Sequence, residues 1–329
     1  DQTKSGVLIM PIITGRNNAM RVIDKVRENR SAMPIFCTAS HWNTEAILLA
    51  AKKFCDKYEL ESIPVSVAMT FNYRYMPQAQ RVTKSGVAKL GFMSVMEHLK
   101  VLCNTPDSPY AKIEVLPHLD HADPETDVWA LTAGSDYLAS AMFDAQTRPP
   151  EVNRKLTKEY VGSYGKKLLV EGIMEELTVS DMHSKASAAI DDYPQRAVEY
   201  IRETGVDFSV ADRGTEPQAA PADAQYLKAR AQELTAALGK PMLVLHGTSS
   251  LNAKEFSGLP GDGVIRVNMW TKIARESGQY AASNLFRRAP ELYANNFEAA
   301  ESKAYLMDSI DKASDMMLEV FEQLCLQKN

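Results

Sequence analysis

Apolar residues along the chain fall into short runs of strand length, each followed by a longer stretch where they recur every three or four positions. The runs lie at 33–38, 63–71, 113–118, 137–143, 168–173, 206–211, 242–245 and 263–269. Most are near-continuous Val, Ile, Leu and Met rather than alternating, the pattern of strands buried on both faces of a parallel sheet. Behind the first run, Ile47, Leu48, Ala51 and Phe54 keep helical spacing within 43–58. Further helices are predicted over about 78–104, 123–133, 151–165, 186–203, 222–238 and 272–288. Pro149-Pro150 opens one of them, while Gly205 and Gly239 close two others.

Eight strands, each followed by a helix-compatible segment, predict an α/β chain, and the count of eight predicts a (β/α)8 barrel. A doubly wound open sheet gives the same succession but usually carries a Gly-rich turn after its first strand, and residues 37–41 contain no glycine. Residues 19–29 read as a helix closing one end of the barrel, and 291–327 as one or two C-terminal helices. The expectation is a (β/α)8 TIM barrel with N- and C-terminal helical extensions. It forms one domain over 1–329, with the barrel at about 33–290 and the helical extension at 291–329. The most loop-like stretch is 214–223.

Composition narrows the function classes. Hydrophobic residues make up 45% of the 329 and charged residues 24%, which is ordinary globular usage. With Lys plus Arg at 37 and Asp plus Glu at 42, the net charge is 37 − 42 = −5, leaving no basic excess for a nucleic-acid partner. Cys37, Cys55, Cys103 and Cys325 form no close pair, which argues against a disulfide framework or a CxxC metal knuckle and suits a reducing compartment. The longest uncharged run, 31–44, falls short of the roughly 20 apolar residues of a membrane span. The apolar run 5–15 lacks a small-residue cleavage site, so a cytoplasmic protein without membrane contact is expected.

In a parallel barrel the site forms at the C-terminal ends of the strands, so polar residues at the ends of the third to eighth runs are the candidates. The third is followed by His118-Leu119-Asp120-His121 and the fourth by Asp144, while the fifth carries Glu171 with Glu175 and Glu176 beyond it. The sixth ends in Asp212-Arg213-Gly214-Thr215-Glu216, the seventh in His246-Gly247-Thr248-Ser249-Ser250, and the eighth in Asn268-Met269-Trp270-Thr271. Three of the six histidines thus share one rim, and imidazoles converging with carboxylates there suit a divalent metal such as zinc. The plainer reading stands beside it: a lone strand-end histidine is often a hydrogen-bonded structural residue, and strand-end acids often cap the next helix, as Asp123 is expected to do. The turns after the seventh and eighth runs occupy the phosphate-binding position recurrent in barrels, or are ordinary βα turns.

In order and spacing, His118-Leu119-Asp120-His121, Val244-Leu245-His246-Gly247-Thr248-Ser249-Ser250 and Gly263-Val264-Ile265-Arg266-Val267-Asn268 resemble the class II, metal-dependent fructose/tagatose-bisphosphate aldolases. Their patterns read HLDH, VLHG(G/A)SG and GVxKxNxxT. The resemblance runs over about 33–280 and includes Val206-Asp207 and Gly214-Thr215. It implies an aldolase that cleaves or forms a C–C bond in a phosphorylated ketose or related anionic sugar through a metal-stabilised enediolate. It also implies a divalent cation, Zn2+ foremost, and a homodimer or homotetramer. By the same resemblance His121 and His246 are zinc ligands, Asp144 is an acid near the metal, and Asp120 is the acid/base on the aldehyde half. Asn268 helps hold the enediolate, and Gly247, Ser249 and Thr271 bind phosphate.

Departures from the family pattern reshape the rest of the site. The family's third histidine ligand follows the GT turn, where this chain has Gly214-Thr215-Glu216-Pro217-Gln218. Glu216 is the expected replacement, giving a two-histidine, one-carboxylate set that is sound for zinc and open to iron or manganese. Of two glutamates usual on the fifth strand, Glu171 remains and is counted with Asp144 among the metal-site residues, while Ile173 fills the other place. The second proton-transfer residue falls among Glu175, Glu176, Asp181 and His183, with Glu175 the first candidate. Arg266 replaces the usual lysine and is grouped with the phosphate-binding residues. An isomerase or epimerase on the same scaffold, or a non-catalytic sugar-phosphate-binding relative, are the alternatives. A Schiff-base mechanism needs an inward lysine, and 206–213 contains none.

Overall fold

The eight apolar runs all become strands of one closed barrel. The computed structural model describes residues 11–174, 193–210, 228–248, 251–294, 296 and 303–326. Its strands are β1 (Met33–Cys37), β2 (Ile63–Thr70), β3 (Ile113–Ala122), β4 (Ser140–Phe143), β5 (Leu169–Ile173), β6 (Phe208–Val210), β7 (Leu243–Leu245) and β8 (Val264–Met269). Each pairs in parallel with the next, and β8 pairs with β1 to close the ring. Closure removes both sheet edges, and a parallel ring must then be covered outside by its crossover helices.

The helices among the described residues are α1 (Arg16–Glu28), α2 (His41–Lys57), α3 (Gln78–Val82), α4 (Ala88–Asn104), α5 (Val128–Leu131), α6 (Pro150–Tyr164), α7 (Tyr193–Thr204), α8 (Lys228–Leu238), α9 (Ala253–Gly258), α10 (Thr271–Tyr293) and α11 (Lys303–Cys325). Two apolar layers result. An outer one lies between strands and helices. An inner one fills the barrel with Met33, Ile35, Leu116, Met142, Leu169 and Phe208 among others, and α1 plugs its lower end with Ala19, Val22, Ile23 and Val26. The expected end-closing helix is therefore α1.

Three sequence expectations change in detail. The long helix at 78–104 divides into α3 and α4 around Gly86, whose φ of +70° suits the left-handed turn that glycine adopts without strain. The helix expected over 123–133 shrinks to α5 followed by a 3₁₀ turn, Ala133–Tyr137. There Asp123 accepts from the N–H groups of Glu125 and Thr126 at 2.8 and 3.2 Å, so its carboxylate caps a turn rather than the helix itself. The C-terminal extension belongs to the outer layer: Phe321 of α11 packs on Phe36 and Phe54 at ring separations of 5.7 and 5.4 Å. No described helix is long and apolar enough to cross a membrane.

Candidate functional site

The C-terminal mouth of the barrel is built around an irregularity in β3. Alternation along that strand turns Leu116, His118 and Asp120 inward and would send His121 to the opposite face. The register with β4 slips between Leu119 and Ala122, and His121 adopts φ +44°. This bulge inserts one residue and re-aims the side chain, so that the consecutive Asp120 and His121 both line the same cleft. A left-handed backbone at a non-glycine residue costs about 1–3 kcal/mol, a strain that concentrates at functional sites.

Each imidazole in the cleft is oriented by a carboxylate. His121 Nδ1 donates to Asp144 Oδ2 at 2.7 Å, and Asp144 accepts in turn from the backbone N–H and side-chain amide of Gln146 at 3.2 and 2.9 Å. Tyr73 stacks on the His121 ring at 4.5 Å with an 11° interplanar angle, and His246 meets it edge-on at 5.1 Å. His246 Nε2 donates to Glu171 Oε1 at 3.2 Å. An ionised carboxylate can only accept, so these contacts place a hydrogen on each of the two ring nitrogens.

Asp120, His121 and His246 are buried and bring one ligand atom each to within 4.8 Å of one another. Asp120 Oδ1 and Asn268 Nδ2 are buried there with no hydrogen-bond partner among the described residues, a costly arrangement that a bound group would relieve. Two imidazoles and a carboxylate, with the rings steered by further carboxylates, form the donor chemistry of an open zinc site. The residues present therefore fit a divalent cation.

The electrostatics agree with a compact charge cluster. Burial opposes charging of His121, but Asp120 and then Asp144 outweigh it and push its pKa up to about 9. Burial likewise opposes ionisation of Asp120, yet its histidine neighbours, His121 first and then His246, hold it below the usual carboxylate value. His118, one layer deeper, is driven well below the usual histidine value by burial and by Arg266. It stays neutral and bonds Ser140 Oγ through Nδ1 at 2.8 Å.

Of the residues singled out by sequence, Asp120, His121, His246, Gly247, Asn268 and Thr271 line this one cleft of about 90 Å³. Asp144 sits behind His121, lining an adjoining cavity that shares His121 and Tyr73. Glu171 and Arg266 go elsewhere. Both are inside the barrel below the mouth, joined at 2.9 Å and 0% and 1% exposed. For Arg266 this corrects the grouping with phosphate-binding residues, because it lies two positions before Asn268 on the same face, roughly 6–7 Å deeper. Glu171 and Asp144 likewise stand outside the donor cluster among the described residues, their oxygens already engaged with ring N–H groups. Glu175, Glu216 and Ser249 lie outside the described residues.

The cleft also contains residues that the sequence reading leaves out: Cys37, Thr70, Tyr73, Gln78 and Lys272. Cys37 and Thr70 end β1 and β2, so extending the strand-end rule to the first two strands finds both. The Cys37 thiol lies 3.2 Å from Asn268 Oδ1 and 3.6 Å from Asp120 Oδ2, tying two candidate residues together. Gln78 accepts from the Thr70 N–H at 2.9 Å and pins the end of β2. Lys272 follows Thr271 in the first turn of α10, where helix N-terminal N–H groups favour anions.

Comparison with known proteins is consistent across sequence and structure. The family described as "Fructose-bisphosphate aldolase class-II" matches residues 17–328. Two fructose-bisphosphate aldolases from Streptococcus pneumoniae strains are each 28% identical over 291 residues, covering 87% of this chain and 86% of theirs. Among solved structures, a fructose-bisphosphate aldolase from Campylobacter jejuni superposes with a TM-score of 0.73 at 17% identity, covering 97% of both chains. The YdjI aldolase from Escherichia coli K12 gives 0.61 at 16% identity, covering 92% of this chain and 95% of that one. At such identities the structural likeness speaks to the fold.

Proposed function

The chain belongs to the class-II fructose-bisphosphate aldolase family, and we propose that it cleaves, or in reverse forms, the C–C bond beside the ketone of a phosphorylated ketose. One observation carries this reading: the buried Asp120–His121–His246 cluster shares a single cleft with Asn268 and the first turn of α10. The phosphorylated end of the substrate is bound by Thr271, Lys272 and the Gly247 turn, with Ser249 completing the cradle. His121 and His246 would hold the cation with Glu216 as third ligand, which leaves the Asp120 carboxylate of the cluster to move a proton. When bound, the cation supplies Lewis-acid withdrawal of electron density from the ketone half.

The chain's own groups handle the protons. Asp120, kept ionised by the surrounding imidazoles, accepts the proton of the hydroxyl across the scissile bond. As that O–H bond breaks, a carbonyl forms on the aldehyde fragment and the C–C electron pair passes to the ketone fragment. A second group must protonate the carbon that receives the pair, and Glu175 is the candidate. The Asn268 amide holds the ketone half in place, itself tied to Cys37. Asp144 keeps the His121 ring in one orientation.

The test is a cleavage assay on a panel of ketose mono- and bisphosphates with metal content measured alongside. Release of dihydroxyacetone phosphate, lost on chelation, supports the proposal. Interconversion of the ketose without cleavage points to an isomerase or epimerase, and binding without turnover to a non-catalytic relative. The homodimer or homotetramer proposed with this activity is checked by light scattering of the same preparation.

A further inference from the structure

Beneath the donor cluster the barrel interior holds a fully buried ion pair. Arg266 of β8 and Glu171 of β5 are 1% and 0% exposed, and Arg266 Nη1 donates to Glu171 Oε2 at 2.9 Å. The two strands are not neighbours in the ring, so the contact crosses the barrel rather than following a ladder. Arg266 Nη2 donates to Ser140 Oγ at 3.1 Å and lies 3.4 Å from Ser66 Oγ, while the guanidinium sits 4.9 Å over the Phe208 ring. Barrel interiors are normally layers of branched apolar side chains. A buried pair there is poor evidence for stability, since apolar residues of similar volume often serve as well or better.

The second carboxylate oxygen accounts for the pair. Glu171 Oε1 accepts from His246 Nε2 at 3.2 Å, so one residue bridges the interior arginine and a member of the donor cluster. We infer that Glu171 is a positioning residue for His246 and that Arg266 holds Glu171 in place for that task. Arg266 occupies one carboxylate oxygen and is itself fixed by Ser140, which leaves the other oxygen aimed at the ring. The His246 ring is thereby kept as the tautomer with hydrogen on Nε2 and the lone pair on Nδ1, the nitrogen that can ligate. A guanidinium reaches the carboxylate and Ser140 with separate nitrogens, which a lysine at this position cannot do.

This inference rests on the metal-site reading of the cleft, and its readouts need no substrate. The variant pair is Glu171→Leu with Arg266→Met in the full chain, removing both charges together. The expected result is a metal-free protein that still unfolds cooperatively, with Zn2+ affinity, measured by chelator competition, about 10–100-fold weaker. Unchanged zinc affinity in a folded double variant overturns the inference alone. Wild-type protein that takes up no zinc overturns the metal reading and this inference with it. A measurement on the unaltered chain covers a double variant that does not fold: two-bond 1H–15N spectra of 15N-histidine-labelled, metal-free protein at pH 8.5, with the His246 ring identified by its loss in His246→Gln. An Nε2–H tautomer is expected, and an Nδ1–H tautomer refutes the positioning role.

Discussion

Removing the Asp144 carboxylate tests how far the site depends on ring orientation. In the native protein His121 Nδ1 lies 2.7 Å from Asp144 Oδ2, with side-chain exposures of only 8% and 7%. Asp144→Ala leaves that ring N–H buried without its acceptor, and a buried hydrogen bond to a charged group contributes about 1.5–3 kcal/mol. Carboxylates that orient ligand histidines are typically worth about 10–100-fold in metal affinity, or about 1.4–2.8 kcal/mol, so the two arguments agree in size. The variant should therefore bind Zn2+ about 10–100-fold more weakly in a chelator competition, with Asp144→Asn falling between it and wild type. The metal-free protein gives a second signature. Burial opposes the His121 charge, but Asp120 and Asp144 raise its pKa to about 9, above the roughly 6.5 of a free imidazole. A raised folded-state value contributes stability that is fully present below about pH 6.5 and is lost as pH rises towards 9. Urea titrations of metal-free protein should show that decline, and Asp144→Ala should flatten it. Zinc affinity within twofold of wild type, together with an unaltered pH dependence, would refute the assigned role of Asp144.

Three further outcomes follow from the same geometry. Asp120→Asn should retain bound metal yet lower kcat by about 10²–10⁴-fold if its carboxylate carries the proton, as single-turnover cleavage would report; an unaffected kcat moves that role to another residue. Lys272→Met should raise KM for phosphorylated substrates with little change in kcat, the loss of one charge-assisted contact of about 1.5–3 kcal/mol. Equal loss for a non-phosphorylated ketose would count against an anion site at α10. Gly91→Ala places a Cβ 1.8 Å from the Ala79 carbonyl oxygen of α3, so α3 and α4 must separate. Overpacking of this kind costs about 1–3 kcal/mol in thermal or urea unfolding. Because α3 begins with Gln78, which pins Thr70 at the cleft, activity should fall beyond what the lost stability explains.

Strand identity was legible because near-continuous apolar runs such as 168–173 and 242–245 are what strands buried on both faces of a parallel sheet require. Helix limits were less so. The expected helix at 123–133 broke because Asp123 and Asp127 spend their carboxylates on local turns and on Asn72, contacts that no periodicity announces. The candidate site divides in the same way. His121, His246, Asp120 and Asn268 stood at strand ends and were found there, whereas Cys37 lay at the end of a strand whose terminus carried no charge to mark it.

Arg266 shows why residue type alone was insufficient. An arginine in the place of the family's usual lysine reads as an anion contact, yet the pleat places it below Asn268, facing Glu171 across the barrel. Residue spacing by itself determined the eight β/α units, the rim on which the chemistry gathers, and the residue types able to hold a metal and an anion. The three-dimensional packing alone decided which nitrogen of each histidine is committed, that consecutive Asp120 and His121 face one cleft, and that Glu171 and Asp144 stand behind the donors. Those outcomes depend on a one-residue register slip and on contacts across the barrel between strands distant in sequence, and a linear pattern of apolar and polar positions carries neither.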